Sequence, residues 1–356
     1  MNSDQRVPIF DGHNDLLLRL ALAGEDSTWS FFEENTLGHL DYPRAKRGGF
    51  AGGFFAVFVP SQSVDDSLLG RAEETRAGGY FYPMASPVAR AEAVLFAARA
   101  IEALFKLERD SKGGFKVVRS ASELAQAIAQ ETMAAVLHFE GAEPIDEGLE
   151  ALDSYYAQGL RSLGIVWSRP NAFGHGVPFR FPHSPDTGAG LSDAGKRLVR
   201  RCNALGIMLD LSHLNEQGFW DVEKLSDRPL VATHSACHAI CASARNLTDR
   251  QIDAVGASGG IIGINFAVRD LREDGRYDDD VPLSQLVRHV DYVVRRIGID
   301  HVALGSDFDG TKISRHIQDA SGLPQLVAAL RQHGYDDSAL AKLGHQNWLR
   351  VLASTW

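Results

Sequence analysis

Eight short apolar runs alternate with stretches of helical periodicity, and no other feature narrows the fold of this chain so far. The runs cover 7–10, 54–59, 134–139, 160–167, 207–211, 230–233, 260–266 and 301–305. Most are rich in Val, Ile, Leu or Phe, and apolar residues continue without alternation. Strands of that kind are buried on both faces, as in a parallel sheet. Between them, Leu283, Leu286, Val287, Val290, Val293, Val294 and Ile297 form one apolar stripe at helical period, stopped by Gly298. Similar periodicities predict helices over 87–107, 121–129, 148–158, 192–205 and 337–352, and Ser192 is placed as an N-cap. Strand–helix alternation repeated about eight times predicts an α/β chain closed into a TIM-type (β/α)8 barrel, in preference to an open doubly wound sheet. One barrel domain then accounts for 1–356, with long insertions near 60–116 and 168–190. Phe173, Phe179 and Phe181 mark the second insertion as an ordered cover.

Composition removes several alternatives. A chain that is 44% hydrophobic and 23% charged can bury a full core. The 36 Lys and Arg stand against 46 Asp and Glu, a net charge of −10, which argues against a broad nucleic-acid-binding face. The three cysteines, Cys202, Cys237 and Cys241, are too few for a disulfide framework and read as reduced buried thiols. No secretory signal or membrane span is visible, so the expected location is the cytoplasm. Neither a phosphate-binding glycine loop nor a serine nucleophile elbow follows any of the runs.

Metal-type residues gather at the C-terminal ends of the expected strands: His13 and Asp15 after the first, Glu140 after the third, His213 after the fifth, His234 after the sixth and Asp307 after the eighth. In a closed barrel these ends share one mouth. Imidazoles with carboxylates suit zinc and its neighbours. Three His and two or three carboxylates exceed the needs of one tetrahedral ion. A two-metal site with a bridging carboxylate accounts for the surplus and activates water well. His138 shares a strand face with Glu140 and is placed in the barrel interior. His39, His289, His301, His316, His333 and His345 read as structural.

These motifs, in this order, make the chain resemble the renal (membrane) dipeptidase family, zinc dipeptidases among the amidohydrolase-like barrels. The resemblance rests on Asp11-Gly12-His13-Asn14-Asp15, 49–55 (GFAGGFF), Glu140-Gly141, Asp210-Leu211-Ser212-His213, Ala242-Ser243-Ala244-Arg245-Asn246, Gly305-Ser306-Asp307-Phe308-Asp309-Gly310, and a last helix with Asn347 and Arg350. It implies two Zn2+ per chain, one on His13 and Asp15, the other on His213 and His234, bridged by Glu140. It implies Asp307 as proton shuttle, and Arg245 as partner of a dipeptide's free carboxylate, with a D-residue tolerated there. The absence of a signal makes the chain look like a soluble bacterial-type member.

Three positions depart from the family pattern. Trp167 stands where many relatives have a substrate-contacting His, so Arg169 and His175 are candidates to replace it in stabilising the oxyanion. Glu143 and the Phe266-Ala267 pair also differ. The expected partners are small dipeptides, with no nucleic acid and no membrane. A homodimer is expected only because it is the commonest state of such enzymes. Trp167 keeps open a related hydrolysis of N-acyl amino acids, lactams or lactones. The reading from another class is a barrel that binds peptide or metal without turnover.

Overall fold

The structure, a computed structural model, describes residues 6–23, 29–61, the backbone of 73–74, and 79–356. Each of the eight apolar runs contains or overlaps a strand. They are β1 (Ile9–Asn14), β2 (Phe50–Phe58), β3 (Met133–Glu140), β4 (Leu160–Gly164), β5 (Met208–Asp210), β6 (Val231–Ser235), β7 (Ile261–Asn265) and β8 (Val302–Gly305). They pair in sequence order, all parallel, and Phe115–Val117 adds a ninth strand outside β3. The ring is drawn together between β8 and β1 by the segment that follows β8. Asp307 N donates to His13 O at 3.0 Å, and Asp15 N donates to Phe308 O at 2.8 Å. Ser306 adds its backbone N–H and its hydroxyl to the Asp11 carboxylate, at 2.6 and 2.8 Å.

Alternation along the strands divides the apolar residues between two cores. Phe55, Leu137 and Phe139 face the helices, whereas Phe10, Phe54, Val136, Met208, Val231 and Ala303 face inward. The floor of the barrel is filled from below by the last helix, Asn347–Thr355. Its Trp348 is fully buried, with ring centroids 5.0 Å from Phe54 and 6.5 Å from Phe10. Higher up, one carbonyl crowds the interior: a Cβ at Gly12, Gly263 or Gly305 would lie 2.0–2.1 Å from Thr233 O. Only glycine lets these backbones meet.

The helices follow their periodicity closely. Leu283–Ile297 ends at Gly298, and Asp193–Leu205 begins where the Ser192 hydroxyl accepts from Gly195 N at 3.0 Å. The expected helix over 337–352 is instead three pieces, Asp337–Ala341, a π-turn at Lys342–Gln346, and Asn347–Thr355. At that turn Gly344 lies against Pro8 O, leaving no room for a Cβ.

Of the insertion expected near 60–116, residues 62–72 and 75–78 lie outside the described residues. Its Tyr80–Phe81 strand pairs antiparallel with Arg180–Phe181 from the second insertion. The two insertions therefore lie together. Among the described residues no helix is long and apolar enough to cross a membrane.

Candidate metal centre

The strand ends converge as the topology requires. His13 comes from β1, Glu140 closes β3 and His234 lies in β6, while Asp15, His213 and Asp307 stand in the loops after β1, β5 and β8. Two local irregularities deliver the first and last of the three histidines. Phe10 and Gly12 face the interior, so strict alternation would turn His13 away from it. The β1–β2 register shifts between Asp11 and Asn14, and the β6–β7 register between Ala232 and Ser235. Such bulges re-aim a side chain. As a result the rings of His13 and His234 stack 3.9 Å apart. His213 and Asp307 use another device, left-handed backbone with φ of 67° and 58°. Non-glycine residues held there cluster at functional sites.

Glu140 is the centre of the group. Its Oε2 lies 3.5 Å from His13 Nε2, and its Oε1 lies 3.0 Å from His213 Nε2 and 3.6 Å from His234 Nε2. Asp15 Oδ2 is 3.3 Å from His13 Nε2. His13, Asp15 and Asp307 form a second close set beside His13, Glu140 and His234. All are buried except Asp307, which is partly exposed.

Hydrogen bonds behind the rings fix which nitrogen faces the pocket. The Thr233 hydroxyl has one proton and donates it to Asp210 Oδ2 at 2.6 Å. At 2.9 Å from His234 Nδ1 it can only accept. His234 is thereby protonated on Nδ1 and presents a bare Nε2 inward. Ser168 Oγ lies 2.7 Å from His213 Nδ1 and holds that ring with its Nε2 toward Glu140. Asp210 also accepts from Ser212 N and Thr233 N, at 3.0 and 2.8 Å. Partners of this kind set the tautomer and basicity of metal-binding histidines.

The donor set fits metal ions. The His213 and His234 Nε2 atoms face each other at 3.1 Å. Two ligand atoms on one tetrahedral ion with bonds near 2.05 Å would lie about 3.3 Å apart. Among the described residues, both ring nitrogens of His13 and Oδ1 of Asp15 are buried without a hydrogen-bond partner. Gly310 completes the cradle: a Cβ there would lie 2.1 Å from Asp15 Oδ2 and 2.4 Å from Asp307 Oδ1.

The electrostatics tell the same story. Burial raises Asp307 to about 8, and the Asp15 and Glu140 carboxylates add to the rise. Burial and Glu140 raise Asp15 to about 6. Burial, aided by Arg245, lowers His213 to about 3. Against its own burial, His13 is raised well above the usual imidazole range by Glu140 and Asp15. The carboxylates thus crowd one another and hold a proton on His13, while His213 and His234 stay neutral; a bound cation would relieve that crowding.

The remaining site expectations divide. Arg245 is buried beside the cluster, donating to His234 O at 3.0 Å and approaching Ser235 Oγ at 3.4 Å. Trp167, beyond the end of β4, is a half-buried wall residue with its ring centroid 5.9 Å from His213 and 5.5 Å from Phe179. Arg169 makes no hydrogen bond to the cluster among the described residues. It is fully buried, and its fork is occupied by Glu143 Oε1 at 2.8 Å, Ser61 Oγ at 2.9 Å and Val59 O at 2.8 Å. All three of its nitrogens are thus tied to other segments, which makes it a clamp between them. His175 is exposed, and no described contact joins its ring to the cluster. His138 lies in the interior, paired with Ser162 Oγ at 2.9 Å and lowered to about 4 by burial.

The sequence reading passed over Asp210, Ser168 and Asn265, whose amide lies 3.3 Å from Asp307 Oδ2. Only Asp210 left a trace, an acid buried in an apolar run. It also passed over the role of Asp11, whose Asp-Gly pair reads as a turn but lies inside β1.

A parallel barrel with buried histidines and carboxylates at its C-terminal mouth defines a metal-dependent hydrolase. The family model for membrane dipeptidase, peptidase family M19, matches residues 4–355, and the chain belongs to that family. It is a metal-dependent dipeptidase. The solved structure of dipeptidase AC, a family M19 metallopeptidase, is 49% identical, with 99% of each chain covered and a TM-score of 0.93. A metallopeptidase from Rhodobacter sphaeroides, liganded with a phosphinate mimic of the dipeptide L-Ala-D-Ala, is also 49% identical, covering 99% of this chain and 100% of that one with a TM-score of 0.95. A protein in the pqqA 5′ region of Klebsiella pneumoniae is 47% identical over 253 residues, 71% of this chain and 93% of that one.

Proposed function

We propose that the enzyme hydrolyses dipeptides bearing a free C-terminal carboxylate, accepts a D-residue at that end, and works with two zinc ions. His13 and Asp15 would hold one ion and His213 and His234 the other, with Glu140 serving both. The observation that carries this reading is the orientation of Glu140: one carboxylate oxygen faces His13 and the other faces His213 and His234. The phosphinate mimic of L-Ala-D-Ala bound by the Rhodobacter sphaeroides relative supports the D-residue.

Bound there, the ions would polarise the scissile carbonyl and bring a water to hydroxide strength near neutral pH. The chain supplies the rest. Arg245 presents a planar fork that matches the substrate carboxylate. Asp307, steadied by Asn265, takes a proton from the water and returns it to the leaving amine. Trp167 and Phe179 narrow the approach beside His213.

The test combines metal quantification with a panel of L,L and L,D dipeptides and their C-terminal amides. About two zinc ions per chain, turnover that fails on amidation, and an Asp307→Asn variant that keeps its metal but loses activity are the expected results. One ion per chain refutes the bridge. Undiminished cleavage of the amides refutes the role of Arg245.

A further inference from the structure

A second arginine stands after β7 with two buried donors unbonded among the described residues. Arg269 follows β7 within the short helix Val268–Leu271 and is 5% exposed. Among the described residues, its Nε and one terminal nitrogen are buried without a hydrogen-bond partner, and the adjacent Asp270 carboxylate favours its charge without bonding those two nitrogens. Aromatic rings surround it instead. Its guanidinium carbon lies 4.2 Å from the Phe179 ring centroid, 5.6 Å from Tyr277 and 5.7 Å from Tyr82. Ring faces attract a cation but accept no conventional N–H···O bonds, so the cage leaves its donors unsatisfied. Buried donors in native proteins nearly always have partners, so two open ones beside a pocket mark a place for an acceptor.

The surroundings connect this cage to the reaction centre. Phe179, which stacks on Arg269, also lies 6.1 Å from the His213 ring and 5.5 Å from Trp167. Asp270, next in sequence, accepts from the Ser243 hydroxyl at 2.8 Å, and that same hydroxyl receives Arg245 N at 3.2 Å. Arg269 is therefore on the side of the pocket where Arg245 stands. Lys312 adds a second cation, 4.5 Å from the Tyr277 ring. The wall is aromatic, sets Arg269 and Lys312 against Asp270, and among the described residues leaves two buried Arg269 donors open.

We propose that Arg269 is a specificity residue that takes the side-chain carboxylate of an acidic C-terminal residue, so that dipeptides ending in Asp or Glu are preferred substrates. The proposal rests on the assignment of Arg245 to the terminal carboxylate, which fixes the end of the dipeptide near Arg269. A planar fork in a desolvated aromatic cage pairs two N–H groups with one carboxylate. It also discriminates against a neutral isostere, which leaves the charge unpaired.

The experiment compares kcat/KM for Ala-Glu with Ala-Gln and Ala-Asp with Ala-Asn, each with L- and D-configured C-terminal residues. Glu-Ala and Ala-Ala serve as references. We expect the zinc-loaded enzyme to favour the acid over its amide by tenfold or more. In Arg269→Met that ratio falls to near one, and in Arg269→Lys it is intermediate. A ratio near one in the unaltered enzyme overturns the proposal without any variant needing to fold. A ratio unchanged in a folded Arg269→Met overturns it as well. Preference confined to Glu-Ala overturns the placement at the C-terminal residue. If Ala-Ala is cleaved and its amide is cleaved equally well, the Arg245 assignment fails instead.

Discussion

Replacing Arg169 separates a clamp from a catalytic group. Its guanidinium ties the start of the 168–190 loop to the end of β2 through Val59 O and Ser61, and neutralises Glu143 in a fully buried pair. Arg169→Met removes three hydrogen bonds and strands the Glu143 carboxylate, whose Oε2 already lacks a partner among the described residues. Breaking a buried pair by removing one member costs about 3–5 kcal/mol. Unfolding entropy near 2.1 cal/mol/K per residue over 356 residues is roughly 0.75 kcal/mol/K, so a loss of about 4 kcal/mol lowers Tm by about 5 °C. Activity falls with it, because Trp167 and the Ser168 hydroxyl that orients His213 sit next to the clamp. The double variant Glu143→Leu/Arg169→Met carries no stranded charge and recovers most of the lost stability. Its kcat recovers too, if Arg169 never touches substrate. Thermal unfolding and dipeptide hydrolysis on the two single variants and the double decide the matter. A double variant as stable as the unaltered enzyme but still inactive refutes the clamp and returns Arg169 to the oxyanion.

Three further outcomes follow from the geometry. Asp210→Ala frees the Thr233 hydroxyl that sets the His234 tautomer, and metal affinity measured against a competing chelator is expected to fall 10–100-fold. His289 accepts from Cys237 N at 3.1 Å, contacts Leu271 O at 3.0 Å, and is lowered by burial from 6.5 to about 4. The unfolded chain therefore binds more protons between those values, and stability falls as pH drops through that window. Urea midpoints at pH 7 and pH 4 should differ less in His289→Gln, by at most about 3 kcal/mol of stability; an unchanged difference refutes a neutral native His289. Trp348→Ala empties the barrel floor and costs about 3–5 kcal/mol by thermal unfolding. Trp348→Phe costs less than half of that, since the indole N–H has no partner among the described residues.

The strands were legible because parallel strands buried on both faces leave unbroken apolar runs. The gathering of His13, Asp15, Glu140, His213, His234 and Asp307 at one mouth followed from their places at the ends of those runs. What stayed hidden depends on contacts distant in sequence or on backbone that alternation does not encode. The bulges that turn His13 and His234 inward leave no residue pattern, and neither does the left-handed backbone at His213 and Asp307. Arg169 opens a loop rich in Pro and Gly, where it reads as facing the substrate. Arg169 is buried because Glu143, Ser61 and Val59 arrive from two other segments to receive it.

The stitch between β8 and β1 has a consequence for biosynthesis. Asp11 and Ser306 are 295 positions apart, yet their contact draws the ring together, and the neighbouring bonds run through His13, Asp15 and Asp307 themselves. A growing polypeptide exposes all five proposed ligands long before it can make that contact. Loop-closure entropy must be met first, and pairing so remote in sequence is slow. Until the final fifty residues emerge, the histidines and carboxylates belong to an open sheet with its floor missing. A product that stops before Ser306 carries the five proposed ligands but cannot make the contact that draws their strands together.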